Sequence, residues 1–232
     1  MITNTKRRGP DRENNVIRGV VIAQAGNFVT GRGAFDLAGL RKIHQLAAAQ
    51  PKGLRSNFKH VSPDQPDPLG RFLGRFKDPF MSTVAVERDG KQVQLDCVRG
   101  DLHIDRTALK PPPGGGTPYG EYCLDLAESD SEAMAASLVL KATKAPQLDP
   151  NGRQAMGGDR QPLPPLWRAT ILAGCDIVSQ GDATSSLLGV VELTDDYLLR
   201  ARWANRKRRA GINDQDETLK AKWRNKKRKA GI

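Results

Sequence analysis

An Asp89-Gly90 pair between two strand-like runs is the feature of this 232-residue chain that most constrains its fold. Asp-Gly is a strong signal for a two-residue β-hairpin turn, because such turns need positive φ angles that these residues tolerate. We expect one strand over 83–87 and a longer one over 93–105, with a break at Gly100. The longer run alternates, so we expect two faces: Val98, Gly100, Leu102 and Ile104 on one, and Arg99, Asp101, His103 and Asp105 on the other.

The rest of the ordered part predicts more strands than helices. Asp36 suits the N-cap of a helix over 37–49 with an apolar face, and residues 117–127 indicate a second helix. Further strands are predicted over 16–25, 136–142 and 167–178. The pattern predicts an α+β domain, built on a curled, mostly antiparallel sheet or a small β-barrel with flanking helices.

Composition divides the chain into three parts. Residues 1–14 are predicted to be a disordered arm, and residues 1–10 are basic without the apolar core of a secretory signal. Residues 15–194 form the predicted domain, and the Pro/Gly-rich segment 144–165 within it predicts a flexible flap or a disordered excursion. Residues 195–232 hold 13 of the 37 Lys/Arg but only 5 of the 26 Asp/Glu, so this tail carries most of the net charge of +11.

The basic tail contains an internal repeat. Residues 199–212 and 219–232 match at an offset of 20, and each copy has a Leu and a Trp four residues apart before a basic run. Two copies are too few for a solenoid. We interpret them as a bivalent ligand for an acidic surface, either nucleic acid or protein, with a solubilising tail as the alternative.

Neither metal chemistry nor a membrane span is expected. The three cysteines, Cys97, Cys123 and Cys175, are odd in number and lack Cys-x-x-Cys spacing, which favours structural thiols in a reducing compartment. The chain has three histidines and no His/Cys cluster, so we expect no metal site and no cofactor. No run of 18 apolar residues is present, so no membrane helix is expected.

Each of the three histidines is a candidate general base. His44 lies inside the first predicted helix, which favours a partly exposed helix residue. His103 lies on the polar strand face beside Asp101 and Asp105, a position typical of a solvated or ion-paired side chain. His60 follows an apolar residue and precedes a Pro/Asp-rich loop, where a side chain can reach an open site.

Ser137 is the candidate nucleophile. A serine hydroxyl needs a base within hydrogen-bond reach and a site for the oxyanion. Ser137 follows a helical segment and stands between small residues and the apolar run Leu138-Val139-Leu140. In a strand, Ser137 and Val139 face one way while Leu138 and Leu140 face the other. No Gly-x-Ser-x-Gly elbow is present, which disfavours an α/β-hydrolase.

Several short segments, in this order and spacing, resemble the prohead (head-maturation) proteases of tailed phages. The resemblance covers a little over half of the chain, from Ser56 to about Leu188. Its pieces are Phe58-Lys59-His60, Gly70-Arg71-Phe72-Leu73-Gly74-Arg75, Val98-Arg99-Gly100-Asp101-Leu102-His103, Asp125-Leu126-Ala127-Glu128-Ser129-Asp130, Ser137-Leu138-Val139-Leu140, Asp176-Ile177-Val178 and Gly181-Asp182-Ala183-Thr184.

This resemblance implies a fold shared with herpesvirus assemblin and a serine endopeptidase activity. It implies Ser137 as nucleophile, His60 as general base and, by position, Asp176 as the third group, with His103 and Asp101 as alternatives. The Glu-Val-Ser-like run of the commoner pattern is absent, since Gly174-Cys175 fall near that point.

The resemblance also implies the setting in which the protein acts. The partners would be capsid and scaffold precursor proteins, met inside the procapsid in the cytoplasm of the host cell, with a homo-oligomer as an option. The segment 144–165 and the tail would be regions for self-cleavage.

Two other functions stay open at this point. One is a scaffold or head-assembly protein that keeps the fold without effective catalysis. The other is a nucleic-acid-binding protein that acts through its basic tail.

Overall fold

The computed structural model describes residues 8–28, 30–60, 71–88, 91–111, 115–158, 160–179, 181, 184 and 187. Contacts divide the chain into two units, Met1–Val191 and Glu192–Ile232, and every described residue belongs to the first. The predicted basic tail with its repeats lies outside the described residues.

Two sheets and two helices make up the described part. The strands are β1 (Gly9–Asp11), β2 (Val16–Gln24), β3 (Gly26–Asn27), β4 (Ala34–Phe35), β5 (Leu54–Asn57), β6 (Phe72–Arg88), β7 (Lys91–Ile104), β8 (Ala135–Ala145) and β9 (Leu166–Val178). The helices are α1 (Leu37–Ala48) and α2 (Tyr119–Ser129), followed by a 3-10 turn at Ser131–Ala133.

The two sheets are mostly antiparallel. One has the order β1-β2-β7-β6-β5, and the other has the order β3-β4-β9-β8, in which only the β4–β9 pair is parallel. No strand pairing among the described residues closes either sheet into a barrel. The α+β class with mostly antiparallel sheets is therefore confirmed, whereas the small closed barrel is wrong.

The hairpin expected around Asp89-Gly90 joins the two longest strands. β6 and β7 pair from Gly74 opposite Ile104 to Arg88 opposite Lys91, and the turn itself lies outside the described residues. β6 is one strand of 17 residues, much longer than the predicted 83–87, and it continues through a register shift in its pairing between Lys77 and Phe80.

The predicted break at Gly100 is wrong, since β7 runs through it without interruption. A Cβ added at Gly100 would lie 2.9 Å from the Cδ1 of Ile22, so the missing side chain allows β2 to pack closely. The apolar face of β7 is confirmed, because Val98 and Leu102 are fully buried in the core.

The opposite face of β7 is covered instead of solvated. Arg99 and Asp101 are only 1% and 2% exposed. Asp101 accepts a hydrogen bond from the backbone N–H of Gly19 at 2.9 Å, and Arg99 donates to the Gly19 carbonyl at 2.6 Å. Strand alternation predicts which side chains share a face, but it does not show that a neighbouring segment covers that face.

The N-terminal arm is ordered over the part that is described. Gly9–Asp11 pairs with β2, and Asp11 accepts a hydrogen bond from Arg18 at 2.6 Å. Arg12 donates to Asp125 at 2.6 Å and to Glu128 at 2.8 Å, both on α2. The prediction of disorder over 1–14 is thus wrong for 8–14, since these long-range contacts hold the segment; residues 1–7 lie outside the described part.

Helix α1 begins as predicted. Asp36 caps it by accepting a hydrogen bond from the Gly39 N–H at 2.8 Å. Leu40 and Ile43 are fully buried against the sheets, while Leu37 is more than a third exposed. Asp36 also receives two hydrogen bonds from Arg168 on β9, at 2.6 and 2.7 Å, so the helix start is fastened to that strand.

The segment between β8 and β9 contains two successive turns, each closed by an isolated antiparallel bridge. The sequence predicted a flexible flap or disorder for this segment. Leu148 pairs with Gln154, and Met156 pairs with Pro162. The Gln147 side chain donates to the Pro164 carbonyl at 2.7 Å. Its prolines and glycines serve tight turns whose ends are hydrogen-bonded. Among the described residues, neither α1 nor α2 has the length and the apolar composition that a membrane-spanning helix needs.

Candidate active site

The pairing of β8 with β9 brings two of the predicted site residues together. Ser137 lies directly opposite Asp176 in this antiparallel pair, so both side chains project from the same face. Val139 is on the same face of the strand as Ser137 and is 38% exposed. Leu138 is on the opposite face and packs against the core. The predicted alternation along this strand is confirmed.

His60 reaches the same face through a junction between the two sheets. After β5, Phe58 forms a parallel bridge with Ile177, the residue after Asp176. The Lys59 N–H then donates to the Ile177 carbonyl at 2.7 Å, and Lys59 has a positive φ of 65°. The chain therefore turns just before His60, which is held beside β9.

The three side chains form a continuous hydrogen-bonded row. His60 Nδ1 is 3.0 Å from Asp176 Oδ2, and His60 Nε2 is 3.0 Å from Ser137 Oγ. A carboxylate only accepts hydrogen bonds, so Nδ1 carries a proton. In the neutral ring, Nε2 is then the acceptor for the Ser137 hydroxyl, which is the tautomer a general base requires.

Asp176 is buried and its second oxygen is also occupied. The residue is 2% exposed, and its Oδ1 accepts from the backbone N–H of Asn57 at 2.9 Å and from the Asn57 amide at 3.0 Å. Arg55 in turn donates through Nε to Asn57 Oδ1 at 3.3 Å. Asp176 therefore cannot rotate freely, and it fixes the imidazole plane.

Sequence reasoning missed Asn57. Its only signal was its place in the chain, three residues before His60. Its contact with Asp176 spans 119 residues of sequence, and no local pattern predicts such a pairing.

The surroundings of His60 stabilise its protonated form relative to a histidine in water. The hydrogen bond that His60 donates to Asp176 raises the pKa of His60 above its ordinary 6.5, and partial burial only partly opposes this. The side chain of His60 is 51% exposed and Ser137 is 8% exposed, so the base faces solvent while the nucleophile lies beneath it.

The other candidate bases and third groups lie elsewhere. Both ring nitrogens of His60 already face Asp176 and Ser137. Asp101 is bonded to the Gly19 backbone, and His103 pairs with Arg75 inside the five-stranded sheet. The structure thus brings His60, Ser137 and Asp176 together and places neither alternative beside them.

The remaining histidine and the thiols are also apart from this row. His44 Nε2 lies 3.1 Å from the Pro79 carbonyl. Burial raises the pKa of Cys123 to about 12, and it raises the pKa of Cys97 and of the fully buried Cys175 as well, so all three thiols are poor nucleophiles. No group of three or more possible ligands among the described residues could hold a metal ion.

Two residues after β9, Gly181 and Thr184, contact the strand that carries Ser137. The Thr184 hydroxyl donates to the Ala136 carbonyl at 2.7 Å. A Cβ added at Gly181 would lie 2.7 Å from the same carbonyl, so only glycine fits there. Both contacts meet the carbonyl of Ala136, the residue just before Ser137.

A cleft of about 510 Å³ opens beside the row. His60, Asn57, Arg55 and Asp176 line one part of it. The rest is lined by Leu138, Val139, Leu140, Ala173 and Gly174.

The arrangement can transfer a proton from the serine hydroxyl to the imidazole, and the buried carboxylate stabilises the imidazolium that results. That is the chemistry of acyl transfer through a serine nucleophile.

Comparison with known proteins found no matching family model, no matching curated protein and no matching solved structure.

Proposed function

We propose that the protein is a serine endopeptidase that trims capsid and scaffold precursors during phage head maturation. The observation that carries the proposal is the position of His60, 3.0 Å from both Ser137 Oγ and Asp176 Oδ2. Three groups of the right kinds, from three distant parts of the chain, meet in hydrogen-bonding order. Two of them, His60 and Asp176, line an open cleft.

In the proposed acylation, Ser137 Oγ attacks the carbonyl carbon of the scissile peptide bond. Its proton passes to His60 Nε2 as the new C–O bond forms, and Asp176 stabilises the resulting imidazolium through Nδ1–H. When the tetrahedral intermediate collapses, the C–N bond breaks. His60 then gives its proton to the leaving amine.

In the proposed deacylation, water takes the place of the amine. His60 Nε2 accepts a proton from that water as its oxygen attacks the ester carbonyl. Collapse of the second intermediate returns the proton to Ser137 Oγ and releases the new carboxyl end. The exposed side of His60 gives water access to the ring.

Sequence supports the phage assignment and the finer fold. The segments around His60, Ser137 and Asp176 resemble prohead proteases, and an assemblin-like fold is part of the same proposal. The proposed partners are capsid and scaffold precursors of a phage or prophage, met inside the procapsid in the host cytoplasm.

The test combines labelling with precursor cleavage. Wild type, Ser137→Ala and Ser129→Ala are incubated with a fluorophosphonate probe and co-expressed with a capsid precursor. Ser129 is a matched control, because it is an exposed serine at the end of α2 that bonds only to the Asp125 carbonyl in the described structure. We expect wild type and Ser129→Ala, but not Ser137→Ala, to be labelled and to shorten the precursor by intact mass.

Absence of labelling and cleavage in folded wild-type protein contradicts the proposal. That result favours the alternative of a scaffold or head-assembly protein that keeps the fold without catalysis.

A second function is proposed for the tail, because 13 Lys/Arg lie within residues 195–232. This density of charge supports binding to nucleic acid.

A further inference from the structure

Two arginines stand side by side next to the candidate site. Arg55 on β5 lies directly opposite Arg75 on β6 in the strand register. The guanidinium carbon of each lies 5.6 Å from the centre of the Phe72 ring, so the ring holds both groups near the surface. Like charges directly opposite each other destabilise a sheet, which makes the pair an unusual choice for structure alone.

Within the described structure, neither arginine of this pair forms an ion pair, although Asp105 lies close enough to Arg75 to interact with its charge. Arg55 Nε donates to Asn57 Oδ1, and Arg75 Nη1 donates to the Gly53 carbonyl at 3.2 Å. Hydrogen bonds from Thr107 lower the pKa of Asp105, and the charge of Arg75 lowers it further. No carboxylate of the described residues forms an ion pair with either arginine.

Arg55 lines the same cleft as His60. The carboxylate of Asp176 also borders this cleft, but it is 2% exposed and is already bonded to Asn57 and His60. The accessible charge that Arg55 gives the cleft is therefore positive, and Leu138, Val139 and Leu140 add apolar lining to the same cleft.

We propose that Arg55 determines specificity by binding a carboxylate side chain of the peptide, with Arg75 adding positive charge behind it. This inference rests on the proposed peptidase function and adds a substrate class to it: peptides with Asp or Glu close to an apolar residue at the cleavage site. A guanidinium suits this role because it can present two parallel N–H donors to one carboxylate.

The chain itself contains two segments of this kind. Residues 192–196 include Glu192, Asp195 and Asp196 beside Leu193, and residues 214–217 include Asp214, Asp216 and Glu217 before Leu219. These two acidic segments flank the first basic repeat of the tail. They are the natural probes for the inference.

The test measures binding without cleavage. Peptides with the sequences of 190–199 and 210–221 are prepared in the native form and with every Asp and Glu replaced by Asn and Gln. Their affinities are measured for full-length Ser137→Ala protein, for the same protein with Arg55→Glu, and for the same protein with Arg41→Glu. Arg41 is exposed on α1, so the last variant has the same net charge but leaves the cleft intact.

We expect the native peptides to bind Ser137→Ala about tenfold more tightly than their amide forms, the size of one charge-assisted interaction. The preference should persist in the Arg41→Glu variant and disappear in the Arg55→Glu variant. Because the tail is basic and attracts acidic peptides by itself, the difference between these two variants is the measurement that decides.

Equal binding of acidic and amide peptides, including no binding of either, overturns the inference. So does an acidic preference that survives Arg55→Glu in protein whose melting curve is unchanged. The outcome does not depend on catalysis, since every protein compared lacks the Ser137 hydroxyl. Labelling of wild type by the fluorophosphonate probe, without acidic preference, would leave the peptidase proposal standing and remove only the role of Arg55.

Discussion

Lys59 shows how one residue sets the geometry of the candidate site. A positive φ costs a non-glycine residue about 1 kcal/mol or more, so it persists only where the surroundings hold it. Here the Lys59 N–H bonds to the Ile177 carbonyl, and the same contact brings His60 beside Asp176. The local strain and the alignment of the row therefore have one cause.

Replacing Asp176 by Asn removes the negative charge beside His60 and keeps a side chain of nearly the same shape. An amide can donate to Nδ1, which favours the ring tautomer with its proton on Nε2, and that tautomer cannot accept from Ser137. We expect the rate of labelling by a fluorophosphonate to fall by about 10,000-fold, the loss that the same change causes in a known Ser-His-Asp triad. The melting temperature should change little in comparison, and a labelling rate close to that of wild type contradicts the assigned role of Asp176.

The pKa of His60 predicts the direction of the pH profile. Only the neutral ring accepts the Ser137 proton, and Asp176 raises the pKa of His60 above its ordinary 6.5. The labelling rate should therefore rise with pH through a midpoint above 6.5, because the ring stays protonated to higher pH. In Asp176→Asn the midpoint of the residual rate should move down, and a midpoint that does not move argues against this pair.

At the scale of elements, one residue, Asp36, joins helix α1 to strand β9 through hydrogen bonds. Asp36 both caps the helix and holds Arg168 through two hydrogen bonds, and β9 continues from there to Asp176. Removing the capping oxygen therefore affects two elements at once, and one of them carries the third group of the site.

Asp36→Ala should cost about 1 kcal/mol in free energy of unfolding for the lost cap. The lost ion pair, which is partly exposed, adds less than about 1 kcal/mol. Asp36→Asn should be milder, because its side-chain oxygen can still accept from Gly39. Urea denaturation of the three proteins measures the order, and equal stabilities would show that the cap contributes nothing.

The same elements show what the sequence could predict. The start of α1 at Asp36 and the alternation around Ser137 depend on near neighbours, so local patterns predicted them. The meeting of Phe58 with Ile177 and the contact of Asn57 with Asp176 depend on pairings across more than 100 residues, and spacing carries no signal for them. His60, Ser137 and Asp176 were singled out through resemblance, whereas Asn57 was not singled out at all.

Order in the N-terminal segment and between β8 and β9 was missed for a related reason. Both segments have compositions typical of loops, yet Arg12 finds two carboxylates on α2, and Gln147 finds the Pro164 carbonyl. Composition measures the tendency of a segment to fold alone, and it omits the partners that the rest of the chain supplies.

At the scale of the whole molecule, charge is unevenly distributed. Residues 195–232 have a net charge of +8 out of +11 for the entire chain, so the domain before them is nearly neutral. An interaction with a polyanion should therefore depend on the tail, and its affinity should fall steeply with salt because bound counterions are released.

Truncation after residue 194 tests this separation of roles. In the Ser137→Ala background, which prevents proposed self-cleavage, we expect the full chain to be retained on immobilised DNA at low salt and released as salt rises. The truncated chain should pass through, because it lacks 13 of the 37 Lys/Arg.

In the wild-type background, truncation should leave the rate of fluorophosphonate labelling within about twofold, since His60, Ser137 and Asp176 all precede the cut. Retention of the truncated chain would place the nucleic-acid contact on the domain, and loss of labelling would show that the tail takes part in the site.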